Sequence, residues 1–258
     1  MLKMAATRAV WRRWVPAVTV AVAVGSAGVV TATPAAAQTL VNCTSQNLQT
    51  AIDNAAPGAT LVIRGTCYGN FRVGKSLSLV GVGGAVLDGN HEGTVLTVRG
   101  SRNVQVDVSR LGIAHGFDVD GGGLLNVGAT VTLSGSTVRD NTATRFGGGI
   151  ASSGKLKLTN STVQANTARA GGGIANAGSL ELNWSKLRGN TVLRAGGGLL
   201  NLAGGTARLS ASTVMLNSAR DGMSGGIHNV GGPVVIVQSA VTGNSPNNCS
   251  SVIPGCRG

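Results

Sequence analysis

The stretch "SRLGIAHGFDVDGGG" brings acids and bases within a few residues of one another: Arg110, His115, Asp118 and Asp120. In an extended backbone, residues two apart share a side, so Asp118 and Asp120 would present two carboxylates together. Hydrolysis of a glycosidic bond uses two carboxylates flanking the scissile bond. A calcium site takes about six to eight oxygens, for which this pair would be a beginning. The remaining acids are scattered: Asp140, Glu181 and Asp221 stand alone, and no repeat above or below supplies a third acid at the same corner. Two readings stay open. One is a polar, slightly expanded loop in an irregular coil; the other is a catalytic or metal site drawing on Asp118, Asp120, His115 and Arg110.

A second pattern is cationic. Arg145, Arg169, Arg194 and Arg220 each precede a glycine-rich run, in "TRFGGGIAS", "ARAGGGIAN", "LRAGGGLLN" and "ARDGMSGGIHN", at spacings of 24, 25 and 26. If successive copies stack as strands, four guanidinium groups share one corner about 5 Å apart. Neighbours at that distance repel by about 1 kcal/mol at high dielectric, part of which salt screens. Again two readings stand. The arginine stems cover small Ala/Gly corners while their heads splay into water. Alternatively the column is a track for a polyanion such as a uronate, sulfated or teichoic polymer, with glycine-run amides forming anion-binding nests beside it.

Both patterns depend on a repeat. "VTLSGSTVRDN", "LKLTNSTVQAN", "LELNWSKLRGN", "ARLSASTVMLN" and "VVIVQSAVTGN" end at Asn141, Asn166, Asn190, Asn217 and Asn244, with steps of 25, 24, 27 and 27. A period in the twenties marks a solenoid, whose units bury their apolar faces only against neighbours. Leu156, Leu158 and Val163 answer to Leu180, Leu182 and Leu187, with Lys157 and Glu181 between them; a period of two means strand. Looser copies begin at Leu77 and Val104. The expectation is an all-β, single-stranded right-handed parallel β-helix (solenoid) of about seven to eight coils, three short strands in each, handed as parallel crossovers are. Glycines open corner conformations, and the asparagines take the left-handed region and form an amide ladder. His115 falls near that column as a corner substitute.

The ends are read separately. Lys3, Arg8, Arg12 and Arg13, an Ala/Val-rich run and "ATPAAAQ" make residues 1–37 a secretory signal peptide. The domain is residues 38–258, with an N-terminal cap at 45–58, coils over 60–245 and a C-terminal disulfide loop at 246–258. In the cap, Leu48, Ile52 and Ala55 share one helical face and Pro57-Gly58 stops the helix. Without the four signal cations, 17 Lys and Arg face 9 acids, a balance that favours anionic surfaces. Scarce aromatics and the lack of a basic helix argue against nucleic acid. The even cysteine count suits an exported chain. An elongated body separates Cys43 and Cys67 from Cys249 and Cys256, which favours pairing within each couple. Zinc is not expected, because neither couple has CxxC spacing and no histidine lies close.

"AIDNAAPGATLVIRGTCYGNFRVGKSLSLVGVGGAVLDGN" resembles the opening coils of the pectate-lyase-like right-handed β-helix superfamily. The "SxVxxNxAxxxGGGIxN" units resemble repeats of chlamydial polymorphic outer-membrane proteins and actinobacterial secreted relatives. The resemblance implies a scaffold that often cuts acidic polysaccharides, through acid-bound calcium and an Arg or Lys base in the lyases, or through three aspartates with "HG" and "RIK" in the hydrolases. Here "HG" is present and "RIK" is missing. On the arginine column and the regularity of the coils, the favoured reading is a secreted or cell-surface protein that binds an anionic extracellular or cell-envelope polymer without catalysis and without a cofactor. The alternatives are a polysaccharide lyase or glycoside hydrolase, with calcium only in the lyase case, and a structural or adhesive protein with a protein partner.

Overall fold

Alternating aliphatic residues need a buried side, and in this chain the buried side is the inside of a coil. The computed structural model describes residues 38–250 and 253–256; the expected signal peptide lies outside them. In one coil the strands are Lys155–Thr159, Thr162–Gln164, Thr167–Ala168 and Ile174–Asn176. Leu156, Leu158, Val163 and Ile174 are fully buried. Burying each of these stabilises by about 1.5–3 kcal/mol relative to exposure.

Coils stack in parallel register. Leu156 pairs with Val131 and Leu180, and Val163 with Val138 and Leu187. Ile174 lies between Ile150 and Leu199. The strands form three parallel sheets of 15, 7 and 5 members, a β-solenoid of about eight turns. Each regular coil has four strands where three were expected. The extra element follows the asparagine, five residues long at Thr142–Phe146 and two at Thr167–Ala168, Thr191–Val192 and Ser218–Ala219. It runs out from the core and returns along the glycines, making a ridge with its own small core of Ala143, Ala168, Val192 and Ala219.

Two ladders of buried polar side chains hold the corners. The Asn141 amide donates to Asn166 Oδ1 at 3.0 Å, Asn166 to Asn190 at 3.0 Å and Asn190 to Asn217 at 2.9 Å. The Ser161 N–H donates to Ser185 Oγ, and the Ser185 N–H to Ser212 Oγ. The expected left-handed asparagines are not found. The left-handed residue is the one before: His115, Asp140, Ala165 and Leu216 ahead of the asparagine column, and Arg110, Asn160, Trp184 and Ala211 ahead of the serine column. The preceding residue makes the bend, which leaves the asparagine in ordinary backbone with its amide aimed along the stack.

The glycine runs also divide by cause. The first of each, as in Gly147, Gly171 and Gly196, has positive φ. The others are there for space: a Cβ on Gly173 would lie 2.5 Å from the Gly198 carbonyl oxygen of the next coil. Their N–H groups bond the neighbouring coil, Gly149 to Gly172 and Gly173 to Gly197. These amides are committed and form no anion-binding nest.

At the N-terminal end, β1 (Gln38–Asn42) pairs with β2 (Thr60–Tyr68), so strand pairing starts ahead of the expected coil boundary at residue 60. Between them α1 (Leu48–Asn54) begins at Asn47, whose side chain accepts from the Thr50 N–H, and buries Leu48 and Ile52. Cys43 and Cys67 are bonded, with their Cα atoms 4.9 Å apart. At the other end the bonded Cys249 and Cys256 are 6.2 Å apart. Within the segment expected as a loop, Cys249 bridges to Ile227 and so continues the stack. No helix among the described residues is long and apolar enough to cross a membrane.

Candidate functional site

The strand Phe117–Asp120 sets Asp118 and Asp120 on one side, with Phe117 and Val119 exposed on the other. The two carboxylates then turn opposite ways along the stack. Asp118 Oδ2 accepts from the Thr94 N–H at 3.0 Å and the Thr94 hydroxyl at 2.8 Å, in the preceding coil. Asp120 reaches the following coil, where it accepts from Arg145 Nε at 3.0 Å, from Arg145 Nη2 and from the Phe146 N–H at 3.2 Å. That hydrogen bond raises the Arg145 pKa further above its ordinary value. Both acids thus serve as struts between coils.

His115 and Arg110 do not join them. His115 occupies the left-handed corner, its Nδ1 2.8 Å from Asp88 Oδ2, and Gly116 takes the asparagine's place, its N–H donating to Asn141 Oδ1. Burial pushes the Asp88 carboxyl up, but the Asn90 N–H, the His115 ring and the nearby His91 outweigh that and hold it below its ordinary value. Arg110 sits on a different corner, with Nε 3.4 Å from the Gly81 carbonyl. Among the described residues no group of three or more His, Cys, Asp or Glu is placed to hold a metal.

The arginines occupy the ridge, all four exposed. Their column is staggered. Ala168, Val192 and Ala219 pair in register, so the next row holds Arg169, Leu193 and Arg220, and the row after it holds Ala170, Arg194 and Asp221. The Arg194 N–H to Arg169 carbonyl and Asp221 N–H to Leu193 carbonyl bonds follow this register. Arg145 lies in a bulge between Ala143 and Phe146. Arg169 and Arg220 are therefore two coils apart, about 10 Å. At that separation salt screens most of the repulsion expected of a straight column. Arg169, Arg194 and Arg220 have no salt-bridge partner among the described residues; Arg145 is held by Asp120.

An open cleft of about 650 Å³ runs along the ridge, lined by Thr144, Thr167, Arg169, Leu193, Arg194 and Asp221. A separate cleft of about 140 Å³ takes Asp120 and Phe146 with Leu125, Ala151, Ala175 and Leu202. The two share no lining residue, with Asp120 in the smaller cleft and Arg169 and Arg194 in the larger.

Three pairings between coils are carried by the period alone. Asp88 precedes His115 by 27 residues, Asp120 precedes Arg145 by 25 and Thr94 precedes Asp118 by 24, each about one coil. The stagger was also visible, since the arginines follow their asparagines by four, three, four and three residues.

No protein-family model matches the chain, and no curated protein matches it. Among solved structures, pectate lyase Pel9A is 12% identical, over 84% of this chain and 73% of that one, with a TM-score of 0.49. An alginate lyase from Paenibacillus sp. str. FPU-7 is 15% identical, over 83% of this chain and 99% of that one, with a TM-score of 0.32. Both are similarities of fold alone.

Proposed function

We propose that the protein is exported and binds an extended anionic polymer of the extracellular space or cell envelope along its ridge, holding the polymer without cleaving it. The observation that carries this reading is the staggered set of Arg169, Arg194 and Arg220, all exposed and without salt-bridge partners among the described residues, with Arg169 and Arg194 lining an open cleft. A regular polyanion whose charges alternate sides would meet such a zigzag. Each charge-assisted contact would also relieve the residual repulsion. The 17 Lys and Arg against 9 acids that remain without residues 1–37 support the sign of the partner, and two disulfides support an oxidising compartment. Cleavage by Asp118 and Asp120 would first require releasing them from Thr94 and Arg145. The test is retention on immobilised polygalacturonate over a salt gradient. The Arg169→Gln, Arg194→Gln, Arg220→Gln triple variant should elute at much lower salt; unchanged elution removes the reading.

A further inference from the structure

Trp184 stands at the corner between the strands Ser179–Asn183 and Lys186–Arg188. It is the one tryptophan in residues 38–258, it has a φ of +53°, and it is 69% exposed. A bulky residue in the left-handed region is uncommon and unfavourable. Gly135 and Ala211 occupy the same corner in other coils, so the bend does not require an indole. The backbone there is satisfied without the side chain, the Trp184 N–H donating to the Ser210 carbonyl at 3.1 Å. An exposed ring contributes little to folding, so Trp184 is left unexplained by the architecture.

Its surroundings show what it suits. Thr159, Asn183 and Ser210 lie in register beside the corner. Lys186 and Arg188 are exposed on the strand that follows. The residues paired with them are Thr162 and Gln164 on one side and Thr213 and Met215 on the other, with no acid among them. Lys186 and Arg188 take part in no salt bridge among the described residues, and the nearest acid of the preceding strand, Glu181, is engaged by Lys155 at 3.3 Å. A protein hot spot would surround an aromatic anchor with further apolar residues; here Ala211 and Met215 are the apolar members of a flank that is otherwise hydroxyl, amide and cation. A sugar ring has an apolar C–H face that stacks on an indole and a polar rim that suits such a flank.

We propose that Trp184, Lys186 and Arg188 form a binding site for an anionic sugar residue. The pyranose ring stacks on Trp184, and its carboxylate or sulfate is taken by Lys186 and Arg188. The site shares its ligand class with the proposed function but none of its residues, and it lies on a different corner from the ridge. The test is tryptophan emission of the full chain at low salt, with the Trp184 contribution isolated as the difference from Trp184→Phe. The probes are tri- and hexagalacturonate, a heparin-derived tetrasaccharide, neutral cellohexaose and vesicles of anionic phospholipid. A saturable change is expected with one or both charged sugars. Affinity should fall about tenfold or more in Lys186→Gln/Arg188→Gln, and calorimetry should show a comparable loss in Trp184→Ala. The ridge triple variant should respond as the parent does, which separates failure here from failure of the ridge. No response to either charged sugar, an equal response to cellohexaose, an undiminished response in Lys186→Gln/Arg188→Gln, or a response to vesicles alone overturns the site.

Discussion

Asp120 and Arg145, 25 residues apart in sequence, meet across adjacent coils as a two-point pair, and the same carboxylate also receives the Phe146 N–H. A residue that resembled part of a catalytic pair therefore restrains a residue that resembled part of a cationic track. Asp120→Asn keeps an acceptor for Phe146 while removing the charge that holds Arg145. The expected result is tighter salt-dependent retention on polygalacturonate than in the parent, because a fourth guanidinium becomes available. Weaker retention would mean that the Asp120 charge assists binding. Unsaturated-uronate absorbance or new reducing ends that vanish in Asp118→Asn or Asp120→Asn would instead restore the enzyme reading.

Asn166 is fully buried and links three coils. It donates to Asn190 Oδ1 and the Val138 carbonyl, and its own Oδ1 accepts from the Asn141 N–H and side chain. Asn166→Ala leaves several buried polar groups unpaired, at about 1–3 kcal/mol for each. Urea unfolding should show a loss of about 3 kcal/mol or more. A loss within about 0.5 kcal/mol, as at an ordinary surface position, would show that the ladder is ornamental.

Asp88 supplies one part of the pH dependence. Its folded pKa lies below the ordinary carboxylate value of 3.8, so the folded state favours the ionised form. The resulting stability is fully present above 3.8 and is lost as pH falls through the lower folded value. Thermal melts should show the parent losing more stability across that acid range than Asp88→Asn. Parallel curves would remove Asp88 as the source.

The period, the inward aliphatics, the serine and asparagine columns and both disulfides were legible because each is a recurring or paired residue type. The fourth strand was not legible, since Thr167–Ala168 is only two residues long and its burial depends on Ala143 and Val192 in other coils. The site was less legible for a related reason. The partners of Asp118, Asp120 and Arg145 lie one coil away, and each pairing occurs once and repeats no residue type. Trp184 carried no repeated pattern at all, and its significance comes from the exposure and backbone angle that the fold imposes.

Gly173 and Gly189 separate the two causes by which this chain uses glycine. At Gly189 φ is +62°, and no atom lies within 4 Å of an added Cβ. One coil earlier the equivalent corner is Ala165, at φ +53°, so alanine is already accepted there, and Gly189→Ala should cost about 1 kcal/mol. At Gly173 the backbone angle is ordinary, but an added Cβ would lie 2.5 Å from the Gly198 carbonyl oxygen and 3.0 Å from Asn190 Nδ2. Neither can retreat without opening hydrogen bonds between coils, because Gly173 donates to the Gly197 carbonyl and Ile174 to that of Gly198. Gly173→Ala should therefore cost about 3 kcal/mol or more. Urea midpoints of the two variants measured side by side provide the check. Equal losses would mean that backbone angle alone explains the glycine runs, and that the coils are not packed as closely as their carbonyls imply.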